Sequence, residues 1–586
     1  MKIKLENPNF KENYLNNLLL ARGVENLEDF LHPTEEYLEP PENLDNIDKG
    51  IEVLDIALEI NKPILLLVDC DCDGFTSSAI MYQYIKELKP EIEIEYILHE
   101  GKQHGLEDVI DTIENGKKEY SLIILPDSSS NDYEYHERLG KLGIPCLVLD
   151  HHLAEPPFSD NAIIINNQLS PNYKNKALTG AGVAYQFCRR YDATHNLSNA
   201  DKYIDLAALG ITGDMGSVLD MENRYIIETG FRKVNNYFFK AMAIKQAYSI
   251  TKQMASSWRE IQEHLTPMTV AFYIVPLINA MIRVGTQEEK SRLFLGMIDG
   301  HHMVPCNKRG AKGTLEEVAV ESVRECVNAR THQNKDKEAA VARIESKIFK
   351  YDLLENQILF IRLDNEDNFP SVLNGLVATQ LAEKYKHPTI VARLNDDGVI
   401  KGSIRGVSNS EFSNFRSYLN DTGLFDFVQG HEGAAGCAIS EKNLHRLHEL
   451  ANEQLSTYNF TESFFPVNFS RFATDEDLEA LITDLSQYNS IWGTGNSTPL
   501  IYVHNITINR DDVQIMGKNK NAVRFFKNGI VYVKTYGAED LIEKLQSYPE
   551  LDIEVVGEAN LNEWCGITTP QILIKEAEVH NAKLSF

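Results

Sequence analysis

From residue 51 onward, apolar and polar positions alternate between two periods. Residues 50–59 carry apolar side chains at helical spacing, and 63–69 form a continuous apolar run that ends in aspartate. Helical spacing returns over 77–88, with Ile80, Met81, Tyr84, Ile85 and Leu88 on one side. A strand over 92–98, a helix around 106–117, a strand over 121–125, a helix around 133–142 and a strand over 146–149 follow. Continuous apolar strands between helices predict an α/β fold with a doubly wound parallel sheet. Such sheets bind ligands beyond the carboxyl ends of their strands.

The strand ends carry the chemistry. After 65–68 comes Asp69-Cys70-Asp71-Cys72-Asp73-Gly74, and after 122–125 comes Pro126-Asp127-Ser128-Ser129-Ser130-Asn131-Asp132. After 146–149 comes Asp150-His151-His152, and a helical stretch over 202–209 leads into Gly210-Ile211-Thr212-Gly213-Asp214-Met215. Alternate strand residues share a face, so Asp69, Asp71 and Asp73 point the same way while the chain stays extended. Crowded carboxylates repel, and a cation between them keeps them ionised. By itself the first stretch also reads as a strand-to-helix turn with capping aspartates. Three successive strand ends, one bearing a histidine pair, exceed what capping explains. Oxygen donors with an imidazole suit Mn²⁺ or Mg²⁺, whereas zinc without a cysteine partner is a poorer match. The donors suffice for two ions bridged by one carboxylate, an arrangement suited to phosphoester hydrolysis. Cys70 and Cys72 read either as soft-metal ligands or, preferably, as small apolar residues on the packed side of the sheet.

Other regions show less chemistry. Residues 1–50 read as short helices broken at Pro33 and Pro40-Pro41, and 231–350 as a helical connector with amphipathic stretches over 237–254 and 315–347. Arg283 there is either an exposed helix arginine or a phosphate contact. His301-His302, beside Cys306, read as a glycine-flanked loop rather than a metal site. A second α/β pattern fills 351–465: strand 358–363, helix 373–385, strands 389–394 and 399–405. It ends in GHEGAAGCAIS at 430–440, where small residues let backbone N–H groups approach an anion or start a tight helix. Residues 466–586 are strand-rich over 500–508, 522–526, 529–536, 553–559 and 572–575. Lys518, Lys520, Arg524, Phe525, Phe526 and Lys527 interleave basic and aromatic residues, as in a single-strand-binding surface or a plain hairpin with core aromatics.

Composition sets the limits. The 586 residues suggest about three to four domains, and 43% apolar residues suffice for packed cores. No run of about 18 apolar residues and no signal peptide are apparent. Eight cysteines in so long a chain are not a disulfide framework, which together predicts a soluble, reducing, cytoplasmic setting. A net charge of −29 argues against indiscriminate binding to polyanions, though a local basic groove can coexist with it.

DCDCDG, PDSSSND, LDHH and ALGITGDM resemble, in order and spacing, the four motifs of the DHH phosphoesterase superfamily. Within it the chain is most similar to the RecJ family of single-strand-specific 5′→3′ exonucleases. LLLARGVENLEDFLHP, Glu222-Asn223-Arg224, PLINAMIR at 276–283 and NEWCGITTPQILI extend that resemblance over nearly the whole chain. The 430–440 stretch resembles the GGHxxAAG signature of DHHA1 domains, with Gln429 in place of the first glycine. The resemblance implies a DHH domain over 51–230, a DHHA1 domain over 351–465 and an OB-type barrel over 466–586. It implies Asp69, Asp71, Asp127, His151 and Asp214 as ligands, with Asp127 as the bridge. His152 would contact the scissile phosphate, while Asp73 and Asp150 support the site. Ser77, Arg283, Lys401, Arg405, His431 and Arg524 would hold the strand. Two departures stand out: Cys70 and Cys72 replace an aromatic and a small residue, and three serines follow Asp127 where the family has Cys/Asn-Gly. The expectation is a monomeric, Mn²⁺- or Mg²⁺-dependent single-stranded DNA exonuclease of repair, recombination or replication, recruited by a single-strand-binding protein or helicase. The rivals are a DHH phosphodiesterase acting on short oligonucleotides or cyclic dinucleotides, and a catalytically dead Cdc45-like scaffold.

Overall fold

The computed structural model describes all residues except 101–103, 117, 365–366, 368–369, 396–397, 413, 518–519, 536, 565–566 and 584–586. Lys518, and Cys565-Gly566 of the NEWCGITTPQILI stretch, therefore lie outside the described residues. The chain divides into two compact units. One comprises Asn26–Gln333 with Asn489–Ser497; the other comprises Met1–Glu25, Asn334–Tyr488 and Thr498–Phe586.

The first unit is built on five parallel strands: β1 (Ile64–Val68), β2 (Ile94–Leu98), β3 (Leu122–Pro126), β4 (Cys146–Asp150) and β5 (Ala162–Asn166), in the order β2-β1-β3-β4-β5. Strand residues alternate between two cores. Leu66, Val68, Ile124, Leu147 and Leu149 join the cluster on one face, whereas Leu65, Leu67, Ile123, Leu125 and Val148 join that on the other. Burial on both faces is why the strands read as unbroken apolar runs. The chain order reverses between β1 and β3, so the sheet's switch point lies there. Four helices frame that edge: α1 (Cys72–Leu88), α2 (Gly180–His195), α3 (Ile204–Gly213) and α4 (Val275–Val284).

The second unit holds two larger sheets and a two-stranded one. A mixed five-stranded sheet contains β6 (Leu359–Leu363), β7 (Thr389–Leu394), β8 (Val399–Arg405), β9 (Phe425–His431) and β10 (Ala434–Ser440), ordered β9-β10-β8-β7-β6. The seven-stranded sheet contains β11 (Phe469–Phe472), β12 (Leu500–Asn509), β13 (Gln514–Met516), β14 (Ala522–Lys527), β15 (Ile530–Lys534), β16 (Glu550–Trp564) and β17 (Ile567–Lys583). Its order is β11-β12-β16-β17-β15-β14-β13.

Several expectations change. Residues 1–50 begin with a strand, Lys2–Leu5, paired in parallel with Phe464–Val467. The helix expected over 237–254 is two helices, Tyr237–Lys245 and Ala247–Thr251. The 430–440 stretch is the β9–β10 hairpin, not a helix start; Gly430, Gly436 and the alanines sit in paired strands and Gly433 in the turn. β5 and α2 were not anticipated. Pro267–Val284 is apolar enough by length and composition to cross a membrane, although Thr269, Asn279 and Arg283 interrupt it, so it is no unbroken apolar run. It forms two helices, Pro267–Tyr273 and α4, that pack Val270, Ile278, Met281 and Ile282 into the core.

Candidate metal centre

β1, β3 and β4 deliver their last residues to one edge. Asp69 follows β1, Asp127 follows β3 and Asp150 ends β4. The extended row of three aspartates does not form, because the strand stops at Val68 and the helix starts at Cys72, not near 77. Asp71 caps α1, its carboxylate accepting a hydrogen bond from the Gly74 N–H at 3.0 Å. Capping is thus right for Asp71, yet the tight turn still gathers the carboxylates. Asp73, in the first turn, accepts through Oδ1 from the Thr179 hydroxyl (2.9 Å) and the Ala181 N–H (3.1 Å) at the head of α2.

The donors converge. His151 Nε2 lies 3.1 Å from Asp127 Oδ1, 3.5 Å from Asp214 Oδ2 and 3.9 Å from Asp73 Oδ2. Asp69, Asp71 and Asp127 each offer an oxygen within 4.8 Å of the others, as do Asp73, His151 and Asp214 with their own ligand atoms. Asp69, Asp73 and Asp127 are each 1% exposed. Among the described residues, Asp69 Oδ1, Asp73 Oδ2 and Asp127 Oδ1 have no hydrogen-bond partner. Buried carboxylate oxygens left without donors are costly unless a cation completes them. Burial pushes Asp127 well above the usual carboxylate range, reinforced by the charges of Asp73, Asp71, Asp69 and Asp214. Burial, then Asp73 and Asp71, raises Asp214 to about 8. The residues present fit a pair of divalent cations.

The two histidines differ. Burial lowers the pKa of His151 and keeps its imidazole neutral, the form that coordinates metal. Burial acts the same way on His152, but Asp150 prevails and raises it to about 9. Asp150 Oδ1 lies 2.7 Å from His152 Nδ1, and the carboxylate also accepts from the His151, His152 and Ser130 N–H groups. Those contacts overcome burial and hold Asp150 well below the ordinary carboxylate range.

Some site residues escaped the sequence reading. His104 Nδ1 lies 2.7 Å from Asp69 Oδ2, and the Asn279 side chain on α4 accepts from the Cys72 N–H at 3.0 Å. Gly180 and Gly210 are required by space: an added Cβ would stand 2.5 Å from Asp127 Oδ1 or 2.4 Å from Asp73 Oδ1. The clue was a glycine-rich helix start at Thr179-Gly180-Ala181-Gly182. Asp127 itself has φ +62°, a left-handed conformation that aspartate tolerates better than most residues.

Comparison with known proteins agrees with this architecture. The family described as "DHH family, N-terminal domain" matches residues 63–211, and "RecJ OB domain" matches 474–576. A Bacillus subtilis (strain 168) protein, named as an SPbeta prophage-derived single-strand DNA-specific exonuclease, is 36% identical over 97% of this chain and 96% of its own. The chain belongs to the RecJ-like family of DHH proteins. Single-stranded-DNA-specific exonuclease RecJ of the same bacterium is 25% identical over 97% of this chain and 68% of its own. The crystal structure of RecJ in complex with Mn²⁺ from Thermus thermophilus shares the fold, with a TM-score of 0.69 at 19% identity over 100% of this chain and 80% of that one.

The RecJ-like residues outside the metal centre fall in distinct places. Ser77 is a correction: it is fully buried and its hydroxyl donates to the Gly74 carbonyl, so it faces the helix rather than a ligand. Arg283 lies one turn beyond Asn279 on α4 and is half-buried. In the other unit, Arg405 and His431 both register with Ala434, in one row across β8, β10 and β9. Lys401 lies on the same face of β8, exposed. Arg524 and Phe526 share a face of β14, and Phe526 is exposed; Phe525, on the opposite face, stacks on Tyr532 in the core. Ser128 and Ser129, which depart from the family pattern, have buried hydroxyls with no partner among the described residues. His301 pairs with Glu317 and stacks on Tyr237. Glu222 and Arg224 are structural: Glu222 is bound by Tyr173, Asn175 and Gln186, and buried Arg224 donates to the Phe30 and Ser490 carbonyls.

Proposed function

We propose that this chain hydrolyses single-stranded DNA from its 5′ end to mononucleotides, in DNA repair, recombination or replication, as a cytoplasmic Mn²⁺- or Mg²⁺-dependent exonuclease. The observation that carries the reading is the convergence of five aspartates and His151, with three buried carboxylate oxygens left for cations. The names of the relatives supply the substrate class. The 5′ polarity rests on the motif resemblance.

Asp69, Asp71, Asp127, His151 and Asp214 would hold the ions, and Asp127, on which the charges of Asp69, Asp71, Asp73 and Asp214 bear, would be the bridging ligand that the motif resemblance implies. Asp73 supports them from α1. When bound, the ions activate water and neutralise charge on the phosphoryl oxygens. The protein supplies position and a proton donor. Asp150 takes His152 Nδ1, which fixes the ring beside Asp127 and His151 and keeps it cationic at neutral pH. A cationic imidazole half-exposed beside the ligands donates a charge-assisted hydrogen bond to a phosphate oxygen. Lys401, Arg405 and His431 grip phosphates of the strand, and the face of Arg524 and Phe526 stacks and pairs with it.

The test uses long single-stranded DNA labelled at one end or the other, with Mn²⁺ and with chelator. Early release of a labelled mononucleotide from the 5′ end alone, lost with chelator, is expected. Cleavage restricted to dinucleotides would refute the long-strand reading, and no hydrolysis at all would leave the scaffold rival.

A further inference from the structure

Beside the hydrolytic cluster lies a group of donors that it does not use. Cys70 Sγ lies 3.6 Å from His104 Nε2 and 3.8 Å from Nδ1, and His104 Nδ1 lies 2.7 Å from Asp69 Oδ2. Thiol, imidazole and carboxylate thus each place a ligand atom within 4.8 Å of the others. The Cys70–His104 separation is that between neighbouring ligands of a tetrahedral ion with bonds of about 2.0–2.3 Å, while the 2.7 Å His104–Asp69 contact is a hydrogen bond that a shared ion would replace. Asp69 serves both groups: Oδ2 faces His104, while Oδ1 is buried without a partner. Cys70 is 5% exposed but the His104 ring is 57% exposed, which leaves an entry route on the imidazole side. Cys72, although in the same apolar cluster as Cys70, falls in no such group among the described residues.

We propose that Cys70, His104 and Asp69 form a second, thiophilic metal site that takes Zn²⁺, Co²⁺ or Cd²⁺ and shares Asp69 with the hydrolytic cluster. Binding breaks the Cys70 S–H bond and forms a metal–thiolate bond, the proton going to solvent; no electron is transferred. A soft ion here draws Asp69 away from the hydrolytic pair and inhibits hydrolysis. That last consequence rests on the proposed nuclease function, whereas metal binding does not.

The test titrates the full chain with Cd²⁺ and with Co²⁺ in saturating Mg²⁺, following thiolate-to-metal charge-transfer absorption in the ultraviolet. One equivalent of charge-transfer signal is expected, lost in both C70S and H104A and retained in C72S. H104A alters an exposed side chain, so it remains informative if C70S folds poorly. In the DNA assay, Zn²⁺ should inhibit the wild type in Mg²⁺ at concentrations at least tenfold below those needed for C70S. No signal in the wild type, a signal undiminished in both C70S and H104A, or equal loss in C72S would overturn the site. Charge-transfer binding without any nuclease activity would keep the site and reject the functional reading.

Discussion

Gly180→Ala tests whether the metal centre depends on backbone packing as well as on its ligands. An alanine Cβ would stand 2.5 Å from Asp127 Oδ1, 2.6 Å from its Cβ and 2.8 Å from its Cα. Non-bonded carbons settle near about 3.5–4.0 Å, so Asp127 or the head of α2 must move by roughly 1 Å. Rotating the carboxylate gives no relief, because two of the three contacts are to Cα and Cβ. The backbone there is already in the left-handed region, with little room to flex. If Asp127 holds the ions as proposed, a displacement of that size costs about 10²-fold in rate, and overpacking costs about 1–3 kcal/mol in stability. The assay is Mn²⁺-dependent nucleotide release well below the unfolding temperature, with Mn²⁺ affinity measured by calorimetry. A variant that keeps wild-type rate and Mn²⁺ affinity would refute the packing argument.

Other outcomes follow from the same geometry. Asp127→Ala should abolish hydrolysis while leaving strand binding, read by fluorescence anisotropy, nearly intact; cleavage at the wild-type rate would disprove the ligand assignment. Chelation should lower the unfolding temperature more at pH 8 than at pH 6, checked by calorimetry in Mn²⁺ and in chelator. The reason is that raised carboxylates such as Asp214, at about 8, stabilise the metal-free fold when protonated and lose that contribution as pH rises through about 8. Glu222, buried and raised to about 7, adds stability that is fully present below its unfolded value and lost as pH rises toward 7. Glu222→Gln should therefore flatten the stability–pH curve between about pH 4.5 and 7, an effect of about 3 kcal/mol; an unchanged slope would count against it. Arg283→Ala should raise KM and reduce the salt slope of strand binding by about 0.7, the value for one phosphate contact; an unchanged slope would place Arg283 away from the strand.

The alternation of apolar runs and helical spacing located β1 to β4 because a doubly wound sheet buries both faces of each strand. That period is written into local sequence. The acidic strand ends were equally legible, since a parallel sheet sends all its carboxyl ends to one edge. Partners from distant segments were not. His104, Thr179, Gly180, Gly210 and Asn279 acquire roles only because folding sets them against Asp69, Asp73, Asp127 and Cys72. The extended row of aspartates failed for a related reason. Whether a run such as 69–73 continues as strand or turns into helix depends on what packs against it, and here the close approach of Gly74 to Asp69 and the Asp71 cap decide. Sequence alone thus determined the fold class and the family and pointed to carboxylates and imidazole as the donors, because those reside in local period and residue chemistry. Only the tertiary structure decided which oxygens remain unpartnered, which histidine is neutral and which cationic, and that Cys70 meets His104, because each depends on burial and on contacts between residues far apart in the chain.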